Sequence, residues 1–192
     1  MDAADFSPRN EAEMLTYCYH VAGAVGVMMA VVMGVPADDD ATLDRACDLG
    51  LAFQLANIAR DIAEDDAAGR CYLPDDWLAM LDIAPSEHMK PHNRKKLALI
   101  GRWLADEAEQ YEASARVGAK HLPLRARWAV LSAAGIYGEI ARKVRAAQAH
   151  AWDQRIFTSR PEKFRWVRKA FVDAIANTPR DTNRDMLWTR VR

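Results

Sequence analysis

The sequence predicts an all-α domain, and three observations carry that expectation. Apolar residues recur at helical spacing through long stretches, as in Leu97, Ile100, Leu104, Ala108 and Tyr111. The stretches break where helix breakers sit, at Gly34-Val35-Pro36, Gly69, Pro91, Pro123 and Pro161. No run alternates apolar and polar residues as a half-buried strand would, and neither an internal repeat nor a low-complexity segment is present. With 192 residues, 51% of them hydrophobic and 28% charged, the chain suits one globular domain, residues 1–192, with material for a core.

The first helix is expected from Asn10 or Glu11, where Glu11 and Glu13 suit a helix N-terminus, to Met33. Its Val21–Val35 portion holds fifteen residues without a charge, short of the roughly 20 that span a bilayer, so a buried helix is expected. Gly23 and Gly26 each cost about 1 kcal/mol against alanine, so the missing side chains must serve something. They either let helices pack closely or leave room for a ligand. Asp38-Asp39-Asp40 follows a proline and reads as helix caps. The second helix then runs through Leu43, Ala46, Leu49 and Gly50 to Asp66 or Ala67, ended by Gly69. Asp75 and Asp76 cap a short helix, and a helix over 92–117 is followed by one over 123–150 that buries Trp128, Leu131, Ile136, Ile140 and Val144. A last helix carries Phe164, Val167, Phe171 and Ile175 as its apolar face. Residues 179–192 show little periodicity and are expected to be loose.

Charge and cysteine content narrow the function classes. The net charge is −1, yet residues 160–192 hold 9 of the 26 Lys and Arg against 4 of the 27 Asp and Glu. Without an aromatic stacking pattern or a nucleic-acid motif, this basic end suits a phosphate-side wall, acidic lipid head groups or plain solvent, and not nucleic acid. Cys18, Cys47 and Cys71 make neither a disulfide framework nor a zinc knuckle, and the first residues lack a secretion signal, so a cytoplasmic setting is expected. His88 and His92 are four apart but interrupted by Pro91, which argues against a metal pair.

On the second helix Asn57, Asp61 and Asp65 recur at intervals of four, with Gln54 one turn before Asn57, and so stack on one face. Two carboxylates and an amide oxygen in a row suit a hard cation such as magnesium, with positions left for water and phosphate oxygens. Arg70, just past the helix end, either complements the helix dipole or, with Arg60, holds diphosphate oxygens.

Asn57-x-x-Arg60-Asp61-x-x-x-Asp65, followed by Gly69-Arg70-x-Tyr72-Leu73-Pro74, resembles the second aspartate-rich motif of the squalene and phytoene synthase family. Tyr17 to Gly26 is similar to another signature of that family, and Trp152-Asp153-x-Arg155-Ile156-x-Thr158-Ser159 to its bacterial phytoene synthase branch. The resemblance implies an isoprenoid-synthase-like helical bundle, incomplete at its N-terminus, that joins two geranylgeranyl diphosphates head to head through prephytoene diphosphate. It implies magnesium, with manganese as an alternative, on Asn57, Asp61 and Asp65, and assigns Arg60, Asp61, Asp65 and Tyr72 to catalysis. Gln54, Asn57, Arg70, Tyr137 and Arg155 become substrate ligands, and Val21, Val25, Gly26 and Met29 walls for a prenyl tail. The family's first aspartate-rich motif is not in this chain, which resembles the C-terminal two thirds of such an enzyme. Two other readings stay open: a non-catalytic helical remnant or interaction module, and a squalene- or dehydrosqualene-type synthase using farnesyl diphosphate. Apolar surface left bare by a missing segment predicts dimerisation, and contact with the inner membrane is a further expectation.

Overall fold

The structure is a computed structural model that describes residues 6–176 and 182–190. All regular elements among them are helical. A first rod begins at α1 (Glu11–Cys18), passes through a π-turn (Tyr19–Gly23) and continues as α2 (Ala24–Val32). Asn10 caps it, its side chain accepting from the Glu13 N–H at 3.0 Å. Gly34, at φ +99°, turns the chain towards α3 (Asp40–Ala67), which Asp39 caps by accepting from the Thr42 N–H at 3.1 Å. The three acids after Pro36 therefore begin a helix, as their position predicts.

At 28 residues α3 is about 42 Å long, and it forms the axis of the molecule. Its Leu51, Leu55, Ile58 and Ile62 are buried with Met14 and Cys18 of α1 and with Leu97, Ile100 and Leu104 of α5 (Arg94–Gly118). The short α4 (Asp75–Met80) adds Trp77, and α6 (Leu124–Ala147) and α7 (Arg160–Ala176) complete the bundle.

Where α2 crosses α3, small residues decide the approach. A Cβ on Gly26 would lie 2.4 Å from the Ala46 carbonyl oxygen, and one on Gly50 2.4 Å from that of Ala22. Close packing is therefore what these glycines permit, and Gly26 combines it with a place in the lining of the cavity described below.

Three expectations about burial also change. The first rod is not centrally buried: Val25 is 48% and Val32 78% exposed, and only a strip through Cys18, Gly23 and Ala30 lies inside. By length and composition the continuous helix Glu11–Val32 is long and apolar enough to cross a membrane. A helix apolar on every side leaves its buried face to be chosen by neighbours, and here the glycines choose it. Trp128 is 38% exposed, its indole N–H donating to the Val167 carbonyl at 2.9 Å, and Ile136 is half-buried. On α7 the large residues Phe164 and Ile175 face out while Ala170 and Ala174 are buried. Gly135 of α6 explains this, because its missing Cβ makes room for the Trp166 ring and draws the opposite face of α7 inward.

The end of the chain differs as well. Residues 179–181 and 191–192 lie outside the described residues, but residues 182–190 are pinned without being helical. Arg184 makes two 2.8 Å bonds to Asp48, a fully buried carboxylate that also accepts from Ser114, and Arg190 binds Asp44 at 2.7 Å and Asp40. Trp188 packs its ring 5.6 Å from that of Tyr19. Periodicity cannot reveal a segment held by side-chain ion pairs, which is why the loose-tail expectation fails for these residues.

Candidate active site

The site grows from one face of α3. Leu49, Phe53 and Asn57 line a cavity of about 550 Å³, and Asp61 and Asp65 extend the same spacing of four beyond it. Val21, Val25, Gly26 and Met29 form the wall from the first rod, and Tyr137 of α6 closes the opposite side, its ring stacked 4.3 Å from Phe53. Polar side chains are few: Thr42, Arg45, Gln54, Asn57 and Tyr137 are the ones in the lining. The volume falls within the roughly 300–1,000 Å³ of pockets that enclose small molecules. An oily hollow thus opens beside a row of oxygen donors.

The two carboxylates each meet arginine. Asp61 accepts from Arg60 Nε at 2.7 Å and from Arg155 at 2.9 Å, while Asp65 meets Arg70 at 3.3 Å. Their side chains are 20% and 17% exposed, so each is within reach of solvent. Burial holds the Asp65 carboxyl above its ordinary range, and Arg70 offsets this only in part. A divalent cation would relieve that cost.

Local structure explains how the arginines arrive. At the end of α3 the Gly69 N–H bonds the Asp66 carbonyl at 2.9 Å and the Arg70 N–H bonds the Asp65 carbonyl at 2.8 Å. This Schellman closure, with Gly69 at φ +73°, folds Arg70 back over Asp65. Arg155 is delivered by a loop that Trp152 anchors, its indole donating to the Ala59 carbonyl at 2.9 Å against the bare face of Gly101.

Tyr72 is placed differently from Tyr137. It is 9% exposed and stacked 5.1 Å from Tyr17, which stacks in turn 4.7 Å from Phe6. It borders a small crevice with Asp65 and Arg70 and does not line the large cavity. Burial first, then a hydrogen bond with Tyr72, push the Tyr17 phenol above its ordinary value and keep it neutral.

One part of the site, and one look-alike outside it, escaped sequence reasoning. Phe53 continues the ladder backwards by one step of four, a signal that was available. Asp40, Asp44 and Asp48 repeat the same spacing on the same helix, yet they serve Arg184 and Arg190 and hold the chain end. Spacing alone does not distinguish a structural ladder from an open one.

Could the open ladder hold magnesium? Among the described residues no group of three or more His, Cys, Asp and Glu forms a metal cage. Magnesium does not require one, because it keeps several waters and takes one or two carboxylates plus phosphate oxygens. Asp61, Asp65 and the Asn57 amide oxygen are donors of that kind, with both Asp61 oxygens engaged by Arg60 and one Asp65 oxygen by Arg70.

The helical bundle, with its oxygen ladder flanked by arginines and continuing the wall of an apolar cavity, has the isoprenoid-synthase fold, as its likeness to a solved structure shows. A dehydrosqualene synthase solved in complex with ligand has a TM-score of 0.81 to it at 28% identity, covering 92% of this chain and 62% of that one. The squalene/phytoene synthase family model matches residues 1–162, and the chain belongs to that family. The 15-cis-phytoene synthase of Enterobacter agglomerans is 48% identical over 99% of this chain, and the phytoene synthase of Pseudescherichia vulneris likewise 48% over 99%. This chain spans 64% and 62% of their respective lengths, less than two thirds of either.

Proposed function

We propose that the chain forms the diphosphate-gripping part of a prenyltransferase that condenses two geranylgeranyl diphosphates to phytoene, by way of prephytoene diphosphate, in carotenoid biosynthesis. The observation that carries this reading is the ladder Asn57, Asp61 and Asp65 continuing the wall of a 550 Å³ apolar cavity. Magnesium, or manganese in its place, would sit on those three side chains and draw charge from the leaving diphosphate. Arg60, Arg70 and Arg155, which already face the carboxylates, would take the diphosphate oxygens the metal does not reach. Val21, Val25 and Met29 on one side and Phe53 on another would hold the hydrocarbon tails and keep water from the allylic cation. Tyr72, stacked on Tyr17 beside Asp65, would orient that end of the ladder from behind. No nucleophilic side chain enters this scheme.

The names of the 46–48% identical bacterial relatives favour the phytoene reading over a squalene-type one. A cytoplasmic enzyme touching the membrane peripherally is the placement we favour, supported by Phe164, Val172 and Ile175 standing 71%, 61% and 59% exposed among the basic residues of α7. The test supplies magnesium with either C15 or C20 diphosphates to the chain alone and extended by its upstream reading frame, and separates the products. A C40 hydrocarbon that disappears in Asp61→Ala is expected. A C30 product formed in preference would replace the substrate assignment, and equal output from Asp61→Ala would remove the ladder from the chemistry.

A further inference from the structure

A second pocket lies away from the cavity, between α5, α6 and α7, with a volume of about 420 Å³. Its lining holds five cations, Arg116, Lys120, Arg127, Arg142 and Lys169, against two carboxylates, Glu112 and Asp173. The acids are already committed. Glu112, 5% exposed, accepts from Arg116 at 2.6 Å and Arg142 at 2.9 Å, and Asp173 meets Lys169 at 2.8 Å. Arg142 is further shared with Glu139, which also accepts from the Trp166 indole at 3.1 Å. The charge surplus therefore rests on Lys120 and Arg127.

Among the described residues neither of these two meets a carboxylate. Arg127 spends its terminal nitrogens on the carbonyls of Lys120, Leu122 and Ala174, at 2.8 to 3.0 Å, and its buried Nε–H has no partner. Carbonyls fix a guanidinium in place without cancelling its charge. A preorganised cation at the side of a concave basic pocket recognises anions bearing several oxygens, and its fixed geometry lowers the ordering cost of binding. The Arg142 guanidinium, 4.9 Å from the Trp166 ring centroid, covers the indole, so the pocket offers charge and not an open stacking surface.

We infer that this pocket binds a phosphate or diphosphate group, either free in solution or carried by an anionic lipid. The experiment uses the 192-residue chain in metal-free buffer, which disfavours uptake at the carboxylate ladder. Inorganic diphosphate is titrated by calorimetry, and co-sedimentation compares vesicles of phosphatidylcholine with vesicles containing phosphatidylglycerol. Lys120→Glu/Lys169→Glu, whose altered side chains make no buried contacts to the backbone, should weaken binding by roughly tenfold and flatten its dependence on salt. Circular dichroism checks that this variant folds, and Arg155→Ala, at the other site, should bind like the parent. Loss of diphosphate binding identifies the soluble ligand, and loss of phosphatidylglycerol binding alone identifies the head group. Binding unchanged in the double variant, binding abolished by Arg155→Ala, or no binding by the parent overturns the inference.

Discussion

Asp61 stands between two guanidiniums, so its removal deletes a ligand of the proposed metal and leaves Arg60 and Arg155 without their shared partner. On the proposed function, Asp61→Ala should lower product formation by roughly 10²- to 10³-fold, the loss typical of one electrostatic contact to developing charge. Its melting temperature should stay within a few degrees of the parent, because Asp61 keeps contact with solvent and its partner Arg155 is 58% exposed. A large thermal loss would mark the ladder as structural instead. Glu107 on α5 supplies a second prediction. Burial, followed by the neighbouring Glu11 carboxylate, pushes its carboxyl from an ordinary value near 4.5 up to about 8, and its Oε2 is buried without a hydrogen-bond partner. The folded chain then holds this proton more tightly than the unfolded chain. Stability is untouched below pH 4.5, falls as pH rises from 4.5 to about 8, and levels off above that. Glu107→Gln should shrink the difference in melting temperature between pH 5 and pH 8, and equal differences would refute the assignment.

At the scale of elements, the crossing of α2 on α3 sets two effects against each other. Helix propensity says that Gly26→Ala should stabilise by about 1 kcal/mol. The 2.4 Å approach of its Cβ to the Ala46 carbonyl oxygen says that the helices must move apart, at about 1–3 kcal/mol. The backbone oxygen cannot rotate away, so the clash should win and urea denaturation should report a net loss. Gly23→Ala meets side chains and no backbone, the Cys47 Sγ at 2.9 Å and the Tyr19 ring at 3.1 Å, and should cost less. The same contrast shows what could be read beforehand. Helix starts were legible because Asn10, Asp39 and the prolines act locally, and so was the ladder, because four-residue spacing on a helix is geometry. The buried sides of α2 and α7 were not, since Gly26, Gly50 and Gly135 act through contacts with residues distant in sequence. Arg155 was legible only by resemblance, as its reach to Asp61 depends on Trp152 gripping another helix. The Asp40, Asp44 and Asp48 series, identical in spacing to the site, was silent until Arg184 and Arg190 were seen to fill it.

For the molecule as a whole, the clasp of residues 182–190 on α3 ties the chain end to the axis. Arg184→Ala would strand the fully buried Asp48 and should destabilise by about 3–5 kcal/mol, read as a lower midpoint in urea with activity lost only as unfolding sets in. A variant with unchanged midpoint would mean that the clasp contributes nothing. The π-turn at Tyr19–Gly23 has a different reach. One rod serves two masters: Tyr17 before the turn stacks on Tyr72, and Val25 and Met29 after it wall the cavity. A wide turn adds a residue to the winding, so each half keeps its own angular phase, offset by about 100° from an unbroken helix. Deleting any single residue between 19 and 23 would swing one end like a key turned in a lock, and no point substitution elsewhere could restore both alignments at once.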